Sequence, residues 1–112
     1  MQGYDKIIND LKNNKIYPFY LLHGSESYFI DRIFDYFKDN IIDDEAKDFD
    51  LTIAYGKETS IPKIIESAKR YPLISKYQLI IVKEAHGLKK EYDPLIKYLD
   101  NPQESSIIVF CH

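Results

Sequence analysis

The 112-residue chain contains no tryptophan and a single cysteine, Cys111. One thiol cannot close an internal disulfide, and this fits a reducing compartment. No apolar run approaches the roughly 20 residues that span a bilayer. The first fourteen residues, MQGYDKIINDLKNN, are too polar for a secretory leader. These absences lead to the expectation of a soluble, cytoplasmic protein with no membrane partner. Positive charge is also in short supply, with 15 Lys and Arg against 18 Asp and Glu. A net charge of -3 and a pI near 5.6 leave no basic footprint, which argues against a free-standing nucleic-acid binder. Internal repeats, low-complexity stretches and linkers are missing as well.

A further absence is chemical. Residues 17–37 run Tyr17-Pro-Phe-Tyr-Leu-Leu-His-Gly24-Ser-Glu-Ser-Tyr-Phe-Ile-Asp-Arg-Ile-Phe-Asp-Tyr-Phe37. An apolar strand, 18–23, meets Gly24, and a helix over 25–39 starts at once. Phe29, Ile30, Ile33, Phe34 and Phe37 form its apolar face, with Ser25 as N-cap and Glu26 in the first turn. This is the opening unit of a P-loop domain. A phosphate-binding loop, however, needs G-x-x-x-x-G-K-[ST]. Counted from Gly24, Phe29 stands where the second glycine belongs, Ile30 where the lysine belongs and Asp31 where the magnesium-binding hydroxyl belongs. The expected nucleotide site is degenerate and the expected cofactor set is none.

What is present is core-forming material. Hydrophobic residues make up 45% of the chain, with ten Tyr and six Phe, so the core should be rich in aromatics with hydroxyls at its rim. Tyr4, Ile7, Ile8 and Leu11 recur at helical spacing and predict a short amphipathic helix over 4–13. Residues 50–55 read as a second, edge strand ended by Gly56. Ser60 opens a helix with Pro62 in its first turn and Ile61, Ile64, Ile65 and Ala68 as its buried stripe; Tyr71-Pro72 breaks it. Residues 77–83 are a strand covered on both faces. A fourth helix follows, with Asp93 as N-cap, Pro94 as first residue and Leu95, Ile96, Tyr98 and Leu99 as apolar positions, stopped by Asn101-Pro102. Residues 106–110 form the last strand. Strands and helices alternate throughout, which predicts one three-layer α/β domain with a parallel sheet over 1–112. Ending on a buried strand suggests an N-terminal fragment of a longer chain.

Three stretches in this order carry a family resemblance: Phe19-Tyr-Leu-Leu-His-Gly-Ser-Glu-Ser-Tyr-Phe-Ile30; Ala68-Lys-Arg-Tyr-Pro-Leu-Ile-Ser75 leading into Gln78-Leu-Ile-Ile-Val-Lys83; and Tyr98-Leu-Asp-Asn-Pro-Gln-Glu-Ser-Ser-Ile-Ile-Val-Phe110. The chain resembles the N-terminal domain of the delta subunit of bacterial DNA polymerase III, a clamp-loader subunit. The resemblance implies an AAA+/P-loop-NTPase-like fold with strand order 1-4-3-2 and no ATP binding. It implies a non-catalytic role within the polymerase complex, in which the domain binds the sliding clamp (beta) through an apolar wedge and promotes its opening for loading on DNA. A fifth strand, a lid and a helical collar would follow in the whole subunit. Other loader subunits would be contacted mainly through those parts, and DNA only indirectly or within the assembled complex. Carried over, the wedge falls on Leu73 and Ile74 after Pro72. Adjacent large aliphatics between a helix and a strand read by themselves as core, and the resemblance reverses that reading. An aliphatic at 74, where the family usually has an aromatic, lowers the expected contact area.

Other candidates carry less. His23 beside Gly24 reads as structural. Lys83-Glu84, where an acidic pair would bind magnesium, puts a cation in the metal slot. His86 and His112 have no partners at zinc spacing. The acids Asp43, Asp44, Glu45, Asp48 and Asp50 read as a solvated loop. Cys111 has no neighbouring base in sequence to make it a nucleophile. The Lys69-Arg70 and Lys89-Lys90 pairs suit the rim of a protein interface. The alternative function is a divergent NTPase or a receiver-like signalling domain, although Lys83-Glu84 does not supply a receiver's phosphoacceptor.

Overall fold

The computed structural model describes residues 2–13, 15–22, 27–40, 42 and 44–111, at 2–5, 27–30, 33 and 34 the backbone alone. Four strands form one parallel sheet: β1 Phe19–Leu22, β2 Leu51–Tyr55, β3 Gln78–Lys83 and β4 Ser106–Cys111, in spatial order β1-β4-β3-β2. The helices are α1 Gln2–Lys12, α2 Ser27–Asn40, the single turn α3 Lys47–Asp50, α4 Ile61–Ala68 and α5 Asp93–Leu99. The expected architecture and strand order are thus observed, with 106–110 in the middle and 51–55 at an edge.

The two central strands are apolar on both faces because helices cover both. Leu79, Ile81, Ile107 and Val109 point to one side, where they meet Leu11 of α1, Phe37 of α2, Ile42 and Ala46. Ile80, Val82, Ile108 and Phe110 point to the other, against Ile61, Ile64, Ile65 and Ala68 of α4 and Leu95 and Tyr98 of α5. The period-two alternation of side chains feeds two cores from one run of β-branched residues. Aromatic edges close the strand ends: Tyr20 meets Phe37, and Phe19 meets Phe110, each with ring centroids 5.0 Å apart. The Tyr20 hydroxyl accepts from the Tyr17 N–H at 3.0 Å, and that of Tyr98 from the Gln103 N–H at 3.1 Å, so both reach the rim as expected.

Ser60 caps α4 as the sequence suggests, its Oγ accepting from the Lys63 N–H at 3.4 Å. At α5 the expectation is corrected. Tyr92 is the N-cap residue, makes no side-chain cap bond, and Asp93 is already helical. Ile96 is also not a core position: it is 59% exposed, because the face of α5 that meets the sheet is carried by Leu95 and Tyr98. The Ser25 cap and Glu26 lie outside the described residues, as do the side chains of Phe29, Ile30, Ile33 and Phe34; on that helix Phe37 is buried as expected.

Candidate protein-docking site

The segment between α4 and β3 carries the most exposed cluster of large apolar side chains in the described molecule. Tyr71 and Leu73 are each 75% exposed and Ile74 is 48% exposed, whereas Ser75 is buried. The sequence explains the break. α4 stops at Ala68, with Lys69 donating its N–H to Ile65 O at 3.0 Å and Arg70 to Ser67 O at 3.2 Å. Pro72 lacks the N–H a helix would need and disfavours helical backbone at Tyr71. The chain therefore leaves the helix and crosses the sheet end as an irregular tip.

Both flanks of this tip are fastened by buried polar groups. Before it, the Ser106 hydroxyl of β4 donates to Ala68 O at 2.6 Å, and Gln78 Nε2 of β3 donates to Ser67 O and, at 3.4 Å, to Ser106 Oγ. These bonds reach carbonyls in the last turn of α4, where the regular i to i+4 ladder ends; Ser67 O also accepts from the Arg70 N–H. After it, Asp50, the last residue of α3, lies buried under the tip. Its Oδ1 accepts from the Leu73 N–H at 2.6 Å, and its Oδ2 accepts from Ile74 at 2.8 Å and Ser75 at 2.6 Å. Three consecutive amides converge on one carboxylate, an anion-holding concavity filled from within the chain. Burial pushes the Asp50 carboxyl up, but the three N–H donors outweigh it and hold the group below the usual carboxylate range. Because the amides turn inward, the Leu73 and Ile74 side chains are left outside.

This separates Asp50 from the acids with which the sequence grouped it. Asp44, Glu45 and Asp48 are exposed, as a solvated run should be, and Asp44 pairs with Lys47 at 2.6 Å. Asp43 lies outside the described residues. Among the described acids, the expectation of a uniformly solvated loop fails at Asp50 alone, since that position starts the descent into β2. Nothing in its local sequence distinguishes it, because its partners lie 23 to 25 residues away.

Leu73 and Ile74 are thus adjacent and exposed, following a half-buried Pro72. Of the basic pairs, Lys69-Arg70 closes α4 beside the tip, whereas Lys89-Lys90 follows the far end of β3. His23, Gly24 and His112 lie outside the described residues, and Asp31 is an exposed residue of α2. Glu84 occupies a left-handed backbone conformation (φ 52°) just past β3. Among the described residues no group of three or more His, Cys, Asp or Glu could hold a metal, and no helix is long and apolar enough to cross a membrane. Cys111 is buried at the end of β4, and burial pushes its thiol up to about 11.

The family model for "DNA polymerase III, delta subunit" matches residues 20–112. The chain belongs to that family. It is 28% identical over 108 residues to DNA polymerase III subunit delta of Bacillus subtilis (strain 168), a match covering 88% of this chain and 31% of the relative. The solved structure of the Bacillus subtilis DNA clamp loader delta protein superposes with a TM-score of 0.85 at 25% identity, covering 96% of this chain and 34% of that one. A DNA polymerase III gamma subunit-related protein from Thermotoga maritima superposes with a TM-score of 0.67 at 13% identity, which speaks for the fold alone. The chain spans about a third of the length of the delta relatives it matches.

Proposed function

We propose that this delta-family domain is a non-catalytic docking module that binds the sliding clamp through Leu73 and Ile74, presented after Pro72, and favours the open clamp. The observation that carries the reading is the outward display of two adjacent large aliphatics on a segment whose backbone is held by hydrogen bonds to a buried carboxylate. Two of the three charge-assisted bonds to Asp50 hold the backbone of the exposed pair itself, and such preorganisation reduces the entropy lost on binding. Each aliphatic fully buried in a partner's pocket contributes roughly 1.5 to 3 kcal/mol. Lys69 and Arg70 would lie at the polar rim of that contact. The domain can shift a clamp between closed and open forms only by its differential affinity for the two.

In this reading ATP is bound by other subunits of the loader, which join through parts of the subunit beyond this domain. DNA is approached within the assembled complex, and the cytoplasm is the site of action. The test is binding to the cognate sliding clamp. Leu73→Ala with Ile74→Ala should weaken binding on the order of a hundredfold or more while leaving the melting temperature unchanged. Unchanged affinity in a folded double variant would remove these residues from the contact. Magnesium-dependent nucleotide binding by the domain would favour a divergent NTPase instead.

A further inference from the structure

We infer that Asp50 is a positioning residue for the docking tip: its buried carboxylate selects the one backbone shape of residues 73–75 that turns Leu73 and Ile74 outward together. The inference rests on the reading of that pair as the clamp contact, and it deepens it. One carboxylate takes three successive amides, at 2.6, 2.8 and 2.6 Å, so it fixes the orientation of three peptide planes at once. Free peptide groups of this kind would otherwise sample many orientations. The carboxylate itself comes from α3, immediately before β2, and β2 is registered on β3 through Leu51 and Leu79. The holding group is therefore attached to the sheet rather than to the segment it holds. Asp50 is 1% exposed and cannot touch a partner docked on the surface, so any effect on docking must pass through the tip.

The prediction is specific to charge and shape. Asparagine at 50 keeps the size but turns an NH2 group toward backbone donors, so at least one of the three bonds is lost. If the docking-competent shape falls to about a tenth of its population, apparent affinity falls about tenfold. The experiment compares full-length wild-type protein, Asp50→Asn, Leu73→Ala/Ile74→Ala, and all three changes combined, for binding to the cognate sliding clamp well below each melting temperature. Asp50→Asn should weaken binding about tenfold alone and have almost no further effect once Leu73 and Ile74 are alanine, the non-additivity of residues acting through one contact. Loss of affinity in the alanine pair together with wild-type affinity in Asp50→Asn overturns the positioning role and leaves the docking pair standing. Wild-type affinity in the alanine pair sinks the docking reading itself. A second measurement needs no variant. In the free wild-type protein the amides of Leu73, Ile74 and Ser75 should be strongly protected from hydrogen exchange despite their exposed neighbours. Exchange of these amides at the unprotected rate overturns the inference even if Asp50→Asn fails to fold.

Discussion

The Ser106 hydroxyl and the Ala68 carbonyl are 2.6 Å apart, and their hydrogen bond joins β4, one of the two central strands, to the last turn of α4. Ser106→Ala removes the donor and leaves a helix-end carbonyl facing a buried wall. A cost of about 1 to 3 kcal/mol is expected. Urea unfolding should show a lower midpoint with an unchanged slope, the signature of altered stability rather than altered compactness.

Gly56 has no room for a side chain. A Cβ there would lie 2.2 Å from the backbone oxygen of Glu84 and 3.2 Å from the Leu88 nitrogen, neither of which can rotate away. At Gly87 the nearest atom, at 2.7 Å, is the side-chain Cγ of Lys57, and the nearest backbone atom, the Lys57 nitrogen, is 3.1 Å away. Gly56→Ala should therefore destabilise by about 1 to 3 kcal/mol or more, and by more than Gly87→Ala. Thermal melts of the two variants give the ranking directly, and the reverse order would contradict the close approach of the turns after β2 and β3.

Stability at low pH should depend on Asp50. Its folded pKa is depressed by the Leu73, Ser75 and Ile74 amides against the opposing effect of burial. In an unfolded chain the group titrates near about 3.9. A depressed folded value means the stabilisation is fully present above the unfolded pKa and disappears as pH falls through the folded one. Unfolding free energy should thus decline from about pH 5 downward, and less steeply in Asp50→Asn. Asp44, lowered by its hydrogen bond to Lys47, titrates in the same direction but is solvent-exposed. Asp44→Asn should leave the acid limb nearly as it was.

Cys111 gives a probe at the other end of the pH scale. Burial raises its thiol to about 11, with Lys83 lowering it and Asp31 raising it to smaller extents. The unfolded thiol ionises near about 8.5. Stability should fall as pH rises from that value toward 11, because only the unfolded chain then gains from ionisation. At pH 8 a thiol reagent should modify the native protein slowly, at a rate that follows unfolding as denaturant is added. Fast modification of the folded protein would place the thiol at the surface.

Neighbouring residues of α5 should behave oppositely. Leu95 is buried against α4 and the sheet, so Leu95→Ala should cost about 2 to 5 kcal/mol. Ile96 faces solvent, and Ile96→Ala should change stability by no more than about 0.5 kcal/mol. Equal effects would mean that α5 is rotated from the described position.

The contrast between Leu95 and Ile96 also marks where sequence reading stops. The local signal is strong over Gln78–Lys83 and Ser106–Cys111, where short apolar runs rich in β-branched residues read as doubly covered strands, and strong over α4, where Ser60 and Pro62 set the start. On a seven-residue helix with four apolar positions it cannot tell which of them meets the sheet. The strand order came from resemblance rather than pattern, since four alternating units are compatible with several parallel arrangements. At the tip after Pro72, the residues alone read Leu73 and Ile74 as core and only the resemblance turned them outward, while Asp50 was not legible at all. A carboxylate whose partners are amides 23 to 25 positions along the chain leaves no trace in side-chain identity, because every residue but proline has an N–H to offer.

The parallel sheet has two poles. Leu22, Tyr55, Lys83 and Cys111 mark one, where the strands end; Asp50, Gln78 and Ser106 mark the other, where they begin and where the exposed tip emerges. Six residues of β3 separate the poles by roughly 20 Å. A body narrower than that, seated on Leu73 and Ile74, would leave the far rim uncovered. Whatever occupies one pole need not compete sterically for the other, and each is free to change its surface without redrawing its opposite.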